Sequence, residues 1–455
     1  MIALTLISVI CVTGLLVLSG VALVGSRLKR DDWLEFVGSC GLCGLAVVGV
    51  AASLGALCGT PFPWAPAMAL GVGSICGLSR IRASAPRGRG PRLPVLLALA
   101  ALFMLVAAEA STRPYLEGDE VYVWGIKSSV LARFGSPDPE LLPGAGARGA
   151  AYPLALPATG ALALWIRGEL AGPALRIVGI FGWILAISGV WRLAKARLER
   201  WAAEAVLVAS AAAPLTLFLA PSFMGDLALV GALAAAAAFV HRRGSAWICA
   251  LHAAAAAQIR VDGIALGLVL AAFAGLAAKR RRLVTGAIAT AFVILTAAPW
   301  WLYLVSLGRS PVTGIAGAIS AGSTGLPLAQ IAERTVLALA SMGRDWLPMV
   351  SPMAFHPTPS VPLGGLLILC VVLPFLRSRR RHLAPGGFAL GVAMALAQAV
   401  AMASVPWFEL NLLSFSPRGA LHLLPALLLM AFAAQRARAY ARENRSAHAP
   451  TPLHK

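Results

Sequence analysis

The stretch Ala246–Ala278 reads AWICALHAAAAAQIRVDGIALGLVLAAFAGLAA and lies between two basic clusters, Arg242–Arg243 and Lys279–Arg282. Basic clusters beside apolar helices stay on the cytoplasmic side of a membrane, so this stretch must cross an even number of times. Two short helices satisfy this requirement, with a hinge at Gln258–Gly263. Neither helix comfortably spans a hydrocarbon core of about 30 Å at about 1.5 Å per residue. The sequence therefore predicts partial-depth helices that line a cavity.

The whole chain has the composition of a polytopic membrane protein. Of its 455 residues, 59% are hydrophobic and 12% are charged, and its mean hydropathy is +0.82. Apolar runs of about 18 residues or more recur along it, as in transmembrane helices. A net charge of +20 would indicate nucleic-acid binding in a soluble domain. Here the basic residues lie in short clusters between apolar runs, which is the positive-inside pattern and predicts no nucleic-acid partner.

The basic clusters orient the chain in the membrane. Placed together on the cytoplasmic side, they put the N-terminus outside and the C-terminal tail inside. The clusters are Arg27–Arg30, Arg80–Arg92, Arg192–Arg200, Arg242–Arg243, Lys279–Arg282, Arg377–Arg381 and the tail from Arg436.

These patterns predict an all-α bundle of about thirteen transmembrane helices (about 11–14) in the cytoplasmic membrane. We expect residues 1–92 to form a three-helix N-terminal addition, 93–435 the main bundle, and 436–455 a disordered basic tail. The predicted crossings are 2–25, 34–57, 64–81, 93–110, 173–192, 202–220, 225–241, 246–258, 262–278, 283–305, 361–376, 386–404 and 419–435.

Two extracytoplasmic loops, 111–172 and 306–360, are too long to be simple connections. Pro and Gly are frequent in Gly135–Gly149, which predicts an irregular segment. The following stretch, Tyr152–Ile166, has a proline at its second position that can open a helix, and it predicts an amphipathic or interfacial helix. The second loop contains a predicted helix near Leu326–Trp346. All polar chemistry is therefore expected at the outer face.

The first of these loops carries the densest group of acids, Glu117-Gly-Asp119-Glu120-Val-Tyr122-Val-Trp124-Gly-Ile-Lys127. The chain has only 18 acidic residues, and carboxylates at a membrane boundary are costly unless pairing or function retains them. Helical spacing places Glu120, Trp124 and Lys127 on one face, and aligns Asp119 with Tyr122. An acid, aromatic rings and a lysine suit a charged substrate with a sugar or lipid part. An intrahelical carboxylate–lysine pair with ordinary interfacial aromatics is the alternative interpretation.

Further motifs follow this acidic group in a fixed order. They are Arg148-Gly-Ala-Ala151-Tyr152-Pro153, Leu156-Pro157, Ser222-Phe-Met-Gly-Asp226, Gln258-Ile-Arg260-Val-Asp262-Gly263, Pro299-Trp300-Trp301-Leu-Tyr303 and Arg418-Gly-Ala-Leu-His422-Leu-Leu-Pro425.

Over residues 93–435, this order resembles the GT-C superfamily of membrane glycosyltransferases, which includes protein O-mannosyltransferases and the aminoarabinose transferase that modifies lipid A. Members carry an acidic motif in the first extracytoplasmic loop, then elements like His-x-x-Tyr-Pro, Tyr-Ala-Asp-Leu-Pro-Leu, Thr-Lys-Asn-Glu-Gly and a Pro-Trp run. This chain differs from the family's motifs at two places, and these differences bear on the identity of the substrate and on any role of a metal. Arg148 and Ala151 lie where the family has histidine, and the Lys-Asn-Glu-Gly element is Arg260-Val-Asp262-Gly263 here.

The resemblance implies a GT-C-like bundle that transfers a sugar from a polyprenyl-phosphate donor to a hydroxyl acceptor, usually with inversion. It assigns the general base to Asp119, with Glu120 orienting the acceptor or serving as the alternative base. Cations must neutralise the leaving lipid phosphate, and arginine suits this because its planar fork donates two parallel bonds. The phosphate candidates are Lys127, Arg148, Arg260 and Arg418. The other substrate-binding candidates are Tyr122, Trp124, Tyr152, Asp226 and Asp262.

Structural roles explain several of these residues equally well. Arg260 could form a salt bridge with Asp262, and Arg418 could anchor a helix end at the interface. Asp226 could cap its helix. His252 and His422 are more typical of packed residues than of ligands, and Cys40-x-x-Cys43 has no partner pair nearby.

No histidines and acids share a metal-like spacing, so no tightly bound metal or other cofactor is expected. Asp119 and Glu120 could hold a divalent cation transiently.

A transporter or flippase is the main alternative function, with Asp226, Arg260 and Asp262 on a substrate or proton path. A polysaccharide polymerase or ligase of the cell envelope has a similar topology, but lacks an acidic motif in the first long loop. A non-catalytic membrane assembly protein is a third alternative.

Overall fold

A computed structural model describes residues 2–28, 31–112, 124–138, 152–168, 173–196, 198–242, 246–277, 282–308, 328–346 and 385–403. Within these ranges the chain is helical and contains no β-strand. The helices, in chain order, are α1 Ile2–Val24, α2 Trp33–Leu57, α3 Trp64–Ser84, α4 Leu93–Thr112, α5 Ile126–Phe134, α6 Ala155–Arg167, α7 Ile177–Lys195, α8 Arg200–Ala211, α9 Pro214–Leu219, α10 Asp226–Arg242, α11 Ala246–Ile259, α12 Val261–Ala277, α13 Arg282–Ser306, α14 Leu328–Trp346 and α15 Pro385–Ala403.

Five stretches are long and apolar enough to cross a membrane, which supports a bilayer environment. They are Leu6–Arg27, Trp33–Leu57, Leu93–Thr112, Ala174–Lys195 and Arg282–Ser306. Shorter apolar helices cover Asp226–Phe239, Ala246–Ile259 and Val261–Leu276. The predicted crossings at 361–376 and 419–435 lie outside the described residues. The total of about thirteen crossings therefore stays a prediction.

The predicted crossing at 202–220 is wrong as a single helix. The chain forms α8 and then α9, with Pro214 at the first position of α9. Proline has no N–H to donate and clashes with the preceding turn, so a helix continuing through this point would be broken.

The hinge predicted at Gln258–Gly263 is confirmed and narrows to one residue. Helix α11 ends at Ile259, Arg260 is non-helical, and α12 begins at Val261. At 14 and 17 residues, the two helices are about 21 and 26 Å long. Both are shorter than the hydrocarbon core of about 30 Å.

The helix predicted near the end of the first long loop is confirmed as α6, but its interfacial placement is wrong. Residues Ala155–Leu164 are all buried, whereas an interfacial helix would expose one side. Only Trp165 and Ile166 at its end are strongly exposed. Gly160 allows α6 to pack this closely, because a side chain at position 160 would clash with Ser128, Leu175 and Phe223. The helix predicted near Leu326–Trp346 is confirmed as α14.

Helix α2 lies at the centre of the bundle and contacts α1, α3, α6, α7, α11 and α13. Glycines allow this close packing. A Cβ on Gly38 would clash with the side chain of Ser188, and one on Gly49 would lie 2.5 Å from Gln258 Oε1 and 2.8 Å from Ala155 Cβ. The first three helices therefore share a core with the helices that follow them.

A buried group of charged residues fixes the N-terminal end of α2 to the C-terminal end of α7. We call Asp31, Asp32, Glu35, Arg192 and Lys195 the ion-pair cluster. Arg192 Nη2 lies 2.6 Å from Asp31 Oδ2, and Lys195 Nζ lies 2.7 Å from Asp32 Oδ2 and 2.6 Å from Glu35 Oε2. Asp32 and Glu35 also form a capping box at the start of α2, which satisfies two backbone N–H groups that the helix leaves unpaired.

Candidate substrate site

The site is centred on Arg260, the hinge residue between α11 and α12. Its side chain is 6% exposed. The guanidinium Nε lies 2.9 Å from Asp262 Oδ1, and Nη1 lies 3.2 Å from Asp226 Oδ1. Burial disfavours the charge on Arg260, but the carboxylates of Asp262 and Asp226 outweigh it and raise the pKa of the guanidinium. The salt bridge to Asp262 that the sequence left as an alternative is therefore present.

Both carboxylates begin helices, which is where the backbone stabilises them. Asp226 is the first residue of α10 and is fully buried, and Asp262 lies in the first turn of α12. The unpaired N–H groups and the positive end of the helix dipole favour an anion at such positions. The capping role considered for Asp226 is thus compatible with its ion pair. Gln398 from α15 adds a long contact of 3.4 Å from its Nε2 to Asp262 Oδ2.

Lys127 approaches the same region from α5 and is fully buried. Its Nζ donates to the carbonyl oxygen of Tyr152 at 2.6 Å and lies 4.3 Å from the ring centroid of Trp300. A cation over a tryptophan face is stabilised by the ring quadrupole, more strongly when water is excluded. Burial nevertheless lowers the pKa of Lys127 well below its ordinary value, because desolvation disfavours the charged amine.

Tyr152 joins the Lys127 side of the site to the Arg260 side. Its carbonyl accepts from Lys127, and its ring lies 5.8 Å from Arg260 Cζ. Trp124 packs edge-on against the same ring, with centroids 5.0 Å apart. We call Trp124, Lys127, Tyr152, Asp226, Arg260, Asp262 and Trp300 the hinge cluster.

Six of the residues predicted for the substrate site are therefore brought together. They are Trp124, Lys127, Tyr152, Asp226, Arg260 and Asp262. The others lie outside the described residues: Asp119, Glu120, Tyr122, Arg148 and Arg418.

Two contributors carried little or no signal in the sequence. Trp300 belongs to the Pro-Trp motif, but nothing in its spacing indicated a contact with Lys127. Gln398 lies in an apolar helix with no motif around it. Gln258, which belongs to the predicted hinge motif, donates its amide to the Thr296 carbonyl of α13 and so ties the hinge to the helix that presents Trp300.

Metal ligands do not cluster in the described part of the chain, where no three His, Cys, Asp or Glu side chains are placed to hold a metal ion. Cys40 and Cys43 are buried in α2 as free thiols. His252 is buried in α11, with its ring 5.4 Å from that of Phe239. These three residues occupy packed positions, as the sequence predicted.

No family model, no curated protein and no solved structure matches this chain.

Proposed function

We propose that the chain is a membrane glycosyltransferase that moves a sugar from a polyprenyl-phosphate donor to a hydroxyl acceptor. The reaction takes place on the extracytoplasmic face of the cytoplasmic membrane, with inversion at the anomeric carbon. The convergence of the described motif residues carries this proposal. Segments around residues 124–127, 152, 226 and 260–262 are far apart in the chain, yet they meet around Tyr152 and Arg260.

The acidic motif lies close to this cluster in the sequence. Glu120 and Asp119 precede the buried Trp124 by four and five residues. This proximity in the sequence supports assigning Asp119 and Glu120 to the same site.

In the proposed reaction, Asp119 accepts the proton of the acceptor hydroxyl as its oxygen attacks the anomeric carbon. The bond between that carbon and the phosphate oxygen breaks, and the lipid phosphate leaves with the electron pair. Glu120 orients the acceptor. Arg148, Arg260 and Arg418 supply positive charge to the leaving phosphate. Lys127 and Trp124 hold Tyr152 in place, and the Tyr152 ring offers aromatic surface to the sugar.

A transfer assay tests the base assignment directly. Membranes containing the wild-type chain are supplied with a panel of radiolabelled polyprenyl-phosphate sugars and an envelope extract as acceptor. Asp119→Asn should abolish transfer, and Glu117→Gln, which changes a neighbouring acid outside the proposed site, should leave it unchanged. Full transfer by Asp119→Asn would show that another group is the base. Absence of transfer by the wild type with every donor would reject the function.

A transporter or flippase is the second candidate, because a buried ion-paired arginine lies between two helices too short to span. Intramembrane charges of this kind mark substrate paths in transporters. Reconstituted protein that moves a labelled solute across vesicles, coupled to protons and without sugar transfer, would favour this function.

A further inference from the structure

An apolar groove in the bundle is lined by none of the hinge-cluster residues. Helices α1, α3 and α6 form it, and its volume is about 190 Å³. Its lining residues are Val12, Leu15, Leu16, Ala67, Leu70, Gly71, Thr159, Leu162, Trp165 and Ile166.

The apolar lining of this groove favours a hydrocarbon chain as its occupant. Thr159 is polar, but its hydroxyl already donates to the Ala155 carbonyl at 2.7 Å. A water molecule needs two to four polar partners to occupy a cavity, and an apolar cavity of about 150 Å³ stays dry and binds benzene. The groove is larger than that and is otherwise lined by aliphatic side chains and one indole.

The depth of the groove restricts its occupant to the bilayer. Val12, Leu15 and Leu16 lie near the midpoint of the candidate span Leu6–Arg27. Next to the groove, the α3 residues Met68, Val72 and Ile75 are more than 60% exposed. A groove beside such a face at mid-membrane depth is filled from the surrounding hydrocarbon.

Along the chain, a close contact between α6 and α2 lies between the groove residue Thr159 and Tyr152. Helix α6 packs against α2 at Ala155, which is fully buried and lies directly beside Gly49.

We propose that this groove is a binding site for one acyl chain of a bilayer phospholipid, formed by the N-terminal helices α1 and α3 together with α6. The proposal is independent of the proposed function, since it concerns neither the hinge cluster nor a reaction.

Two glycines provide a matched pair of variants. Gly71 lines the groove and Gly14 does not. At both, an added Cβ meets nothing within 4 Å, so Gly71→Leu and Gly14→Leu should both fold. Both gain similar helix propensity, because each replaces a helical glycine. Only Gly71→Leu fills the groove.

The test uses the full chain reconstituted in phosphatidylethanolamine and phosphatidylglycerol vesicles that contain a phospholipid with a diazirine midway along one acyl chain. After illumination, peptides carrying the groove residues should be labelled several-fold more than those carrying Leu97 and Leu105, which are exposed on α4. Gly71→Leu should reduce the groove labelling at least about threefold, and Gly14→Leu should leave it unchanged.

Several outcomes would overturn the proposal. Groove labelling no higher than that of α4 would mean that another part of the chain, such as 419–435, or a second copy covers the groove. If Gly71→Leu did not reduce the labelling of the groove peptides, the label would be reporting general contact between lipid and the outer surface of the helices. Displacement of the label by unlabelled polyprenyl phosphate would assign the groove to the donor chain instead.

Discussion

The ammonium nitrogen of Lys127 lies 2.6 Å from the carbonyl oxygen of Tyr152 and 4.3 Å from the centre of the Trp300 ring. This contact joins α5, the start of α6 and α13 in one buried arrangement. It also fixes Tyr152, whose ring faces Arg260. The lysine is therefore held by a backbone carbonyl and an aromatic face, in a place where burial lowers the pKa of its amine.

Lys127 should make stability dependent on pH. The unfolded chain binds a proton here up to about pH 10.4, whereas the folded chain releases it at lower pH. Over that window the unfolded state binds more protons, so the free energy of unfolding rises with pH. Lys127→Met removes this titration. Thermal unfolding of both proteins at several pH values between about 7 and 10 should show the wild type gaining stability relative to the variant. Parallel pH profiles would contradict the prediction.

Removing Arg260 should destabilise the fold strongly. Arg260→Gln leaves the buried carboxylate of Asp226 and the half-buried carboxylate of Asp262 without their common cation, which costs about 3–5 kcal/mol. Thermal unfolding in detergent measures the loss. Arg89→Gln, at an exposed position, is the control and should change stability by no more than about 0.5 kcal/mol.

A double-mutant cycle separates this ion pairing from simple packing. Asp262→Asn combined with Arg260→Gln should be less destabilising than the sum of the single changes, because the second change removes a charge that the first leaves uncompensated. Additive effects would show that the two side chains do not interact energetically.

Substitutions in the ion-pair cluster should destabilise the fold as much as the loss of Arg260 does. They should not affect the hinge cluster. Arg192 is 1% exposed, bonds Asp31, and has its Cζ 4.6 Å from the ring of Phe239. Arg192→Met should cost about 3–5 kcal/mol, and Asp31→Asn in addition should recover part of it. The protein that remains folded should keep its transfer activity, since Glu35 and Gly49 are separated by about 21 Å along α2. Lost activity in fully folded protein would contradict that independence.

Gly49 should be the α2 position to which the hinge cluster is most sensitive. A Cβ there would lie 2.5 Å from Gln258 Oε1 and 2.8 Å from Ala155 Cβ. Gln258 lies two residues before Arg260, and Ala155 lies three residues after Tyr152. Gly49→Val should cost about 1–3 kcal/mol through overpacking and lower the rate of sugar transfer in the protein that stays folded. Gly14→Val places the same side chain where nothing lies within 4 Å, and it should leave transfer unchanged.

The sequence by itself determined where the helices lie. Long apolar runs and basic clusters are local signals, so most of the described crossings begin and end close to the predicted ones, except at the break before Pro214, and the hinge falls at Arg260. The salt bridge of Arg260 with Asp262 could also be predicted from the sequence, because the two residues are close in the chain.

Only the tertiary structure decided which helix faces which. It brought Asp226 to Arg260, placed Trp300 over Lys127, and buried α6 inside the bundle. The physical reason is the solvent. Lipid is as apolar as the core, so the lipid-facing and core-facing sides of a membrane helix carry similar residues. Helices α11 and α12 are apolar all round, and nothing in their residues reveals their neighbours. Contacts between distant helices are set by close packing at small residues such as Gly49, which a single sequence does not display.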